Sequence, residues 1–294
     1  MKTTNWKVWL LAARPKTLPA AIVPVLLGTA VAVHEGGFHL IPAAICLVFA
    51  LLIQIGSNYA NDYFDFQKGA DTDKRVGPVR AVASGLVSPQ QMWRATLIVL
   101  GLAFVVGLSL VFYGGWWLVA VGVLSVLCAL AYTGGPYPLG YNGLADIFVF
   151  VFFGLVAVMF TAYVQTGVFT WAGFWAGCGC GLLSMNLLVV NNARDIETDR
   201  EAGKRTLPVR FGYRYAVIQY CLSALLAFAV PDMLMRLGYG GWVYLTLLLL
   251  PVAVILCLRL TRAHRPRDFH LLLMYTGQLL LAYGVLLSLG IVLS

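Results

Sequence analysis

The chain alternates long apolar runs with short polar ones. Nine apolar windows, at 17–34, 40–62, 92–113, 116–133, 145–165, 170–192, 213–231, 241–259 and 270–292, are each close to the roughly 20 residues an α-helix needs to cross a bilayer. The pattern predicts an all-α, polytopic membrane protein of about nine transmembrane helices. Only loops separate the windows, so residues 1–294 are expected to form a single domain. Pro15 and Pro19 suit the first turn of the first helix. The loop YTGGPYPLGYNGLAD, from Tyr132 to Asp146, carries glycines and prolines that forbid regular helix and one charge. It reads as a lid or pocket wall, or as a plain turn.

Composition agrees, with 61% hydrophobic and 11% charged residues. The formal charge of +8 does not indicate a nucleic-acid partner, because Lys and Arg sit at the ends of apolar windows rather than along one soluble face. Placing each cation in its loop puts all but Arg236 on one side of the membrane. By the positive-inside rule that side is cytoplasmic, so the N-terminus is expected inside the cell membrane and the C-terminus outside. The N-terminal run has no convincing cleavage site and is read as a retained span. All six cysteines fall inside apolar windows, which argues against a disulfide framework or a zinc site.

The acids change the picture most. NYANDYFDFQKGADTDKRVGPVR, from Asn58 to Arg80, and NNARDIETDREAGKRTLPVR, from Asn191 to Arg210, align without a gap at an offset of 130 residues. Asn61, Asp65, Lys74, Arg75, Pro78, Val79 and Arg80 recur as Asn191, Asp195, Lys204, Arg205, Pro208, Val209 and Arg210. The two stretches follow the second and sixth windows and so emerge on the same side. This predicts a parallel repeat of four helices plus four, with one added, bringing both motifs to the cytoplasmic mouth of a central cavity.

Ionised groups at the end of an apolar helix mark a functional site by default. If the second helix continues past the membrane, Asn61, Asp65 and Lys68 share a face with Asp62 beside them. Asn191, Asp195 and Asp199 fall at i, i+4 and i+8. Carboxylate and amide oxygens are hard ligands suited to Mg²⁺, which completes its shell with water and phosphate oxygens. Asn58, Lys68, Arg75, Arg80, Asn191, Lys204 and Arg205 are the candidate diphosphate contacts. An acid-bound Mg²⁺ and a basic cradle over an apolar cavity fit a prenyl diphosphate, whose C–O ionisation leaves an allylic cation for a second substrate to capture. Tyr132, with Tyr59, Tyr63 and Phe64, offers aromatic faces to that cation. Arg14 and Lys16 read as interfacial anchors or as contacts to an anionic ligand.

At RPKTLPA, NDYFDFQKGADTDKRVGP, YTGGPYPLGYNGLAD and NNARDIETDREAGKRTL the sequence resembles the UbiA superfamily of intramembrane prenyltransferases, over nearly its whole length. Within it the chain is most similar to the branch that prenylates 1,4-dihydroxy-2-naphthoate in menaquinone synthesis. The resemblance implies nine helices around a cavity, Mg²⁺, a polyprenyl diphosphate and an aromatic acid as substrates, and demethylmenaquinone with release of diphosphate and carbon dioxide. It maps Asn61, Asp62 and Asp65 onto the first metal motif and Asp195 and Asp199 onto the second. Asp65, Asp195 and Asp199 are thus expected to act catalytically as one unit. The chain departs from the general pattern at Gly69, where a further acid is usual, so Asp71 stays outside the metal set. Another aromatic acceptor is the nearest alternative. A cation transporter is the rival from a different class, and it predicts ionisable groups along a path through the midplane.

Overall fold

A computed structural model describes residues 6–71, 77 and 79–294. The described residues are helical throughout, with connecting turns. In order the helices are α1 (Trp6–Ala13), α2 (Pro19–His34), α3 (Leu40–Gln67), α4 (Pro89–Leu108), α5 (Val111–Gly114), α6 (Leu118–Ala131), α7 (Ala145–Val149), α8 (Ala157–Thr166), α9 (Trp171–Arg194), α10 (Ile196–Glu201), α11 (Leu207–Phe211), α12 (Tyr213–Phe228), α13 (Val230–Arg236), α14 (Leu250–Thr261) and α15 (Pro266–Val292). Local chemistry sets several starts. Pro89 opens α4 behind a reciprocal cap in which Ser88 Oγ accepts from Gln91 N and Gln91 Oε1 accepts from Ser88 N. Thr170 caps α9 by accepting from Gly173 N.

Among the described residues seven helical segments are long and apolar enough to cross a membrane, and an eighth is α1 with α2 across a 54° bend. The chain is a multi-pass membrane protein. The count falls one short of the nine windows because α6 has 14 residues, about 21 Å of helix against a hydrocarbon core of about 30 Å. The 28 residues of α3 span about 42 Å. The surplus over the hydrocarbon core, about 12 Å, is close to the length of the polar end at residues 61–67.

α3 packs along α4, and α9 packs along α12. Shifted by 130 residues, α3 lies over α9 and α4 over α12 and α13. The repeats differ at their motifs: α3 runs unbroken through Asp65, whereas the helical run breaks at Asp195 and restarts as α10. The backbone bond from Asp199 N to Asp195 O (2.7 Å) keeps those two acids one turn apart across the break. α9 is the most enclosed spanning helix, and α4 the most exposed on its outer face. Several buried polar groups in the bundle are paired across helices, with Asn186 Nδ2 donating to Tyr220 O (3.1 Å) and Tyr283 OH to Ala227 O (2.8 Å).

One contact has no room for a side chain. The π-helical segment Phe150–Val156 crosses α9 where Gly154 meets Gly177 and Gly181, and a Cβ on Gly154 would lie 2.5 Å from Gly177 O and 2.7 Å from Gly181 Cα. Gly154→Ala therefore forces two backbones apart and is expected to destabilise the fold by about 1–3 kcal/mol. Gly101→Ala, at a position in α4 with open space around it, should be neutral or slightly stabilising. Thermal unfolding of both variants in nanodiscs checks the pair; equal melting temperatures would contradict the contact.

Candidate active site

Both acidic motifs meet in one polar chamber of about 370 Å³. Asn61, Asp62 and Asp65 reach it from the end of α3, and Asn191, Asp195 and Asp199 from the end of α9 and from α10. Arg14, Tyr132, Arg80 and Lys204 line it too. A second, apolar cavity of about 160 Å³ lies among α2, α3, α6, α8 and the Phe150–Val156 segment. Tyr132 is the one residue common to both linings.

Asp65 is the centre of the charge network. It is 3% exposed and takes Arg80 Nη2 at 2.9 Å, the Tyr141 hydroxyl at 2.8 Å and Lys204 Nζ at 3.4 Å. Lys204 Nζ also lies 3.6 Å from Asp199 Oδ1, so a single ammonium bridges the acids of the two repeats. Burial pushes the Asp199 carboxyl up to about 6, against the pull of Lys204, and Asp195 and Asp65 add to the rise. Arg80 is buried between Asp65 and Asp71, the latter at 3.5 Å. Its Nη1 is enclosed without a hydrogen-bond partner among the described residues, leaving a donor for a further anion. Asp195 is held by Arg194 through two contacts of 2.6 and 2.7 Å.

The 132–146 loop is a wall of this chamber and not a plain turn. Arg205 N donates to Tyr141 O (2.7 Å), while Arg210 donates from Nε to Arg205 O and from Nη2 to Asn142 O, both at 2.9 Å. Gly143, at φ 79°, sits where a Cβ would be 3.0 Å from Arg205 O, so the loop can lie this close to the second motif only with glycine there. The Tyr141 ring has Lys68 Nζ 4.5 Å and Lys204 Nζ 4.8 Å from its centroid. Burial and the Asp65 charge push its phenol far above the usual range, so it stays a hydrogen-bond donor and is not a base. Burial also lowers the Lys68 ammonium below its ordinary value, partly offset by Asp65.

The model of the UbiA prenyltransferase family matches residues 21–276. The chain belongs to the UbiA prenyltransferase family. It is 35% identical to the 1,4-dihydroxy-2-naphthoate octaprenyltransferase of Haemophilus influenzae, over 98% of this chain and 96% of that protein. It is 40% identical to the Escherichia coli protein of the same name, over 81% and 80% of the two chains. A UbiA homolog from Archaeoglobus fulgidus, solved bound to DMAPP and Mg²⁺, superposes with a TM-score of 0.63 at 16% identity, covering 95% of this chain and 99% of that one. That likeness places this UbiA-family chain in the same fold.

The other sequence-selected residues fall in three groups. Lys68 donates to Thr133 O (2.6 Å) and lies against Tyr141, outside the lining itself. Asn58 is engaged elsewhere, with Nδ2 donating to Ala13 O (2.9 Å) and Thr17 Oγ1 (3.3 Å), and the Arg205 side chain is exposed. Arg75, with Asp73 and Lys74, lies outside the described residues. Asp62 accepts from Ala81 N (3.0 Å) and Val82 N (3.2 Å), so it fastens the Ala81–Val82 turn to α3. Asn61 accepts from the Thr133 hydroxyl, and Asn191 Nδ2 donates back to Leu187 O (3.1 Å). Tyr141, Thr133, Asn192, Thr206 and His270 also line the chamber and were not selected from sequence. For Tyr141 the available signal was a tyrosine-rich loop almost free of charge between two spans.

Proposed function

We propose that this UbiA-family protein transfers a polyprenyl group from its diphosphate to 1,4-dihydroxy-2-naphthoate, releasing diphosphate and carbon dioxide and yielding demethylmenaquinone in its reduced, quinol form. One observation carries the chemistry: Lys204 bridges Asp65 and Asp199 across the two repeats, in a chamber that shares Tyr132 with an apolar cavity. The names of the relatives carry the choice of acceptor.

The diphosphate lies in the polar chamber against Lys204, Arg80 and Arg194, with the prenyl tail in the apolar cavity. The reacting C–O bond then falls beside Tyr132. As that bond breaks, its electron pair leaves with the diphosphate, and the cations stabilise the added charge. The allylic cation faces the Tyr132 ring in a space lined by Phe148, Phe152 and Phe160, where few polar groups can hold a quenching water. The ring carbon bearing the carboxylate attacks and the neighbouring phenol loses its proton to leave a ketone; the carboxylate then departs as carbon dioxide, its bonding pair restores the aromatic ring, and the ketone oxygen regains a proton.

Among the described residues no three His, Cys, Asp or Glu side chains are grouped closely enough to hold a metal alone. The donors fit Mg²⁺ in another way, since it takes one or two carboxylates and fills its shell from phosphate and water. Asp65, Asp195 and Asp199 would hold it, and a divalent charge would favour the ionised form of Asp199. The bound metal would supply Lewis-acid stabilisation of the leaving diphosphate.

Incubating purified protein with Mg²⁺, a labelled prenyl diphosphate and a panel of aromatic acids tests the reading. Product from 1,4-dihydroxy-2-naphthoate is expected; product only from another acid would replace the acceptor, and none from any acid would remove the activity. Lys204→Gln should raise the KM for the prenyl diphosphate by about tenfold or more, well beyond its effect on the acceptor. Lys68→Gln, one layer further out, should do less. The charge pattern further supports a cytoplasmic N-terminus and cytoplasmic motifs, with the C-terminus outside the cell membrane. Single cysteines at Gln67 and Ala202, in a cysteine-free background, should label only from the cytoplasmic side. Labelling of the two from opposite faces would exclude a shared chamber.

A further inference from the structure

The reaction above needs two anions in one chamber, a diphosphate and an aromatic carboxylate. The acid-bearing wall is equipped for the first. Another part of the lining comes from the bend between α1 and α2, where Leu11, Ala12, Arg14, Pro15, Lys16 and Thr17 face the chamber. This stretch supplies two cations and no acid. A diphosphate with a metal ion needs carboxylates beside its cations. A carboxylate arriving without a metal needs cations alone, and the forked guanidinium of Arg matches it in shape.

The backbone at this bend is specialised. Arg14 has φ 51° and is the one non-glycine residue with positive φ among the described residues, a conformation that costs an L-residue about 1–2 kcal/mol. Glycine would adopt it freely, so the strain is borne with a long cationic side chain in place. Surrounding bonds hold the turn: Thr17 N donates to Arg14 O (2.9 Å) and Thr17 Oγ1 donates to the same oxygen (3.0 Å). Gln54 Nε2 reaches Thr17 Oγ1 at 3.0 Å, and Asn58 Nδ2 ties down Ala13 O. Two polar side chains of a membrane-spanning helix thus fix the turn that bears Arg14. Next to it Lys16 Nζ donates to His270 Nε2 (2.6 Å), keeping a second positive charge at the mouth.

We infer that the Arg14 guanidinium binds the carboxylate of the aromatic acceptor and sets the ring against the prenyl carbon beside Tyr132. Resting on the acceptor reading above, this gives the carboxylate its own site, separate from the diphosphate's. Arg14→Gln tests it, because Gln bears the same strain at φ 51° and keeps a polar end while losing the charge. The probes are 2-naphthoate and 2-naphthamide, which differ in charge and hardly in shape, used as competitors of 1,4-dihydroxy-2-naphthoate.

In Arg14→Gln the KM for the acceptor and the inhibition constant of 2-naphthoate should each rise by about tenfold or more. The constant for 2-naphthamide and the KM for the prenyl diphosphate should stay within about twofold, and Arg14→Lys should recover part of the loss. Equal weakening of both naphthalenes, or an equal rise in the diphosphate KM, would overturn the assignment. Wild-type turnover of 1,4-dihydroxy-2-naphthoate is read first. Its absence removes the acceptor reading and this inference with it, whereas turnover without a charge-selective loss removes only the role of Arg14.

Discussion

Replacing Asp65, Asp195 or Asp199 with Asn is expected to lower turnover by at least about a hundredfold, corresponding to a few kcal/mol of transition-state stabilisation. Asn keeps the size of each side chain and removes its charge. At Asp65 the damage should be greatest, since three donors from Arg80, Tyr141 and Lys204 converge there, and an amide can turn its own NH₂ against them. At Asp199 the change removes one of the two carboxylates that Lys204 bridges. At Asp195 it leaves Arg194 without its paired carboxylate. Steady-state assays with each variant in lipid, alongside thermal unfolding to show that the fold is kept, read the effect. Near-normal turnover in all three variants would sink the assignment.

The second large effect is expected at Arg80, and it falls on stability as well as activity. Arg80 is 8% exposed and stands between two buried carboxylates, Asp65 and Asp71. Removing one partner of a buried ion pair costs about 3–5 kcal/mol, because the charge left behind is shut off from water and loses its nearest counter-ion; at Asp65 the remaining ammonium, that of Lys204, is further away at 3.4 Å. Arg80→Gln should therefore lower the unfolding temperature by roughly 5–15 °C and also abolish most turnover. Arg80→Lys should recover only part of each, since a point charge cannot span both acids as the planar fork does. Differential scanning fluorimetry on detergent-solubilised protein separates the cases; an unfolding temperature equal to wild type in Arg80→Gln would show the pair to be solvated and the account of it wrong.

Periodicity and charge placement made the architecture legible. Apolar windows locate every long helix, and the 130-residue offset alone implies that Asp65 and Asp195 share one end of the bundle. What the sequence could not show was contact between distant segments. Tyr141 reaches Asp65 across 76 positions, and nothing local in a glycine- and proline-rich loop indicates that its backbone will be pinned by Arg205 and Arg210. Arg210 repeats Arg80 in the sequence alignment, yet its Nε and Nη2 donate to the carbonyls of Arg205 and Asn142. Asn58 sits in the acidic stretch, yet helix phase turns it onto Ala13 and Thr17. Helix length is similarly hard to read from hydropathy, because Trp116 and Trp117 extend the apolar window before α6 has begun.

The central claim is that the two repeats build one site for the diphosphate, and the double variant Asp65→Asn with Asp199→Asn tests it most directly. Groups acting as a unit are strongly non-additive, because the first loss already disables what the second would remove. Turnover of the double variant should therefore lie within about tenfold of the weaker single variant. A fall equal to the product of the two single losses, about ten-thousandfold or more if each costs a hundredfold, would mean that the motifs act independently and would contradict the account.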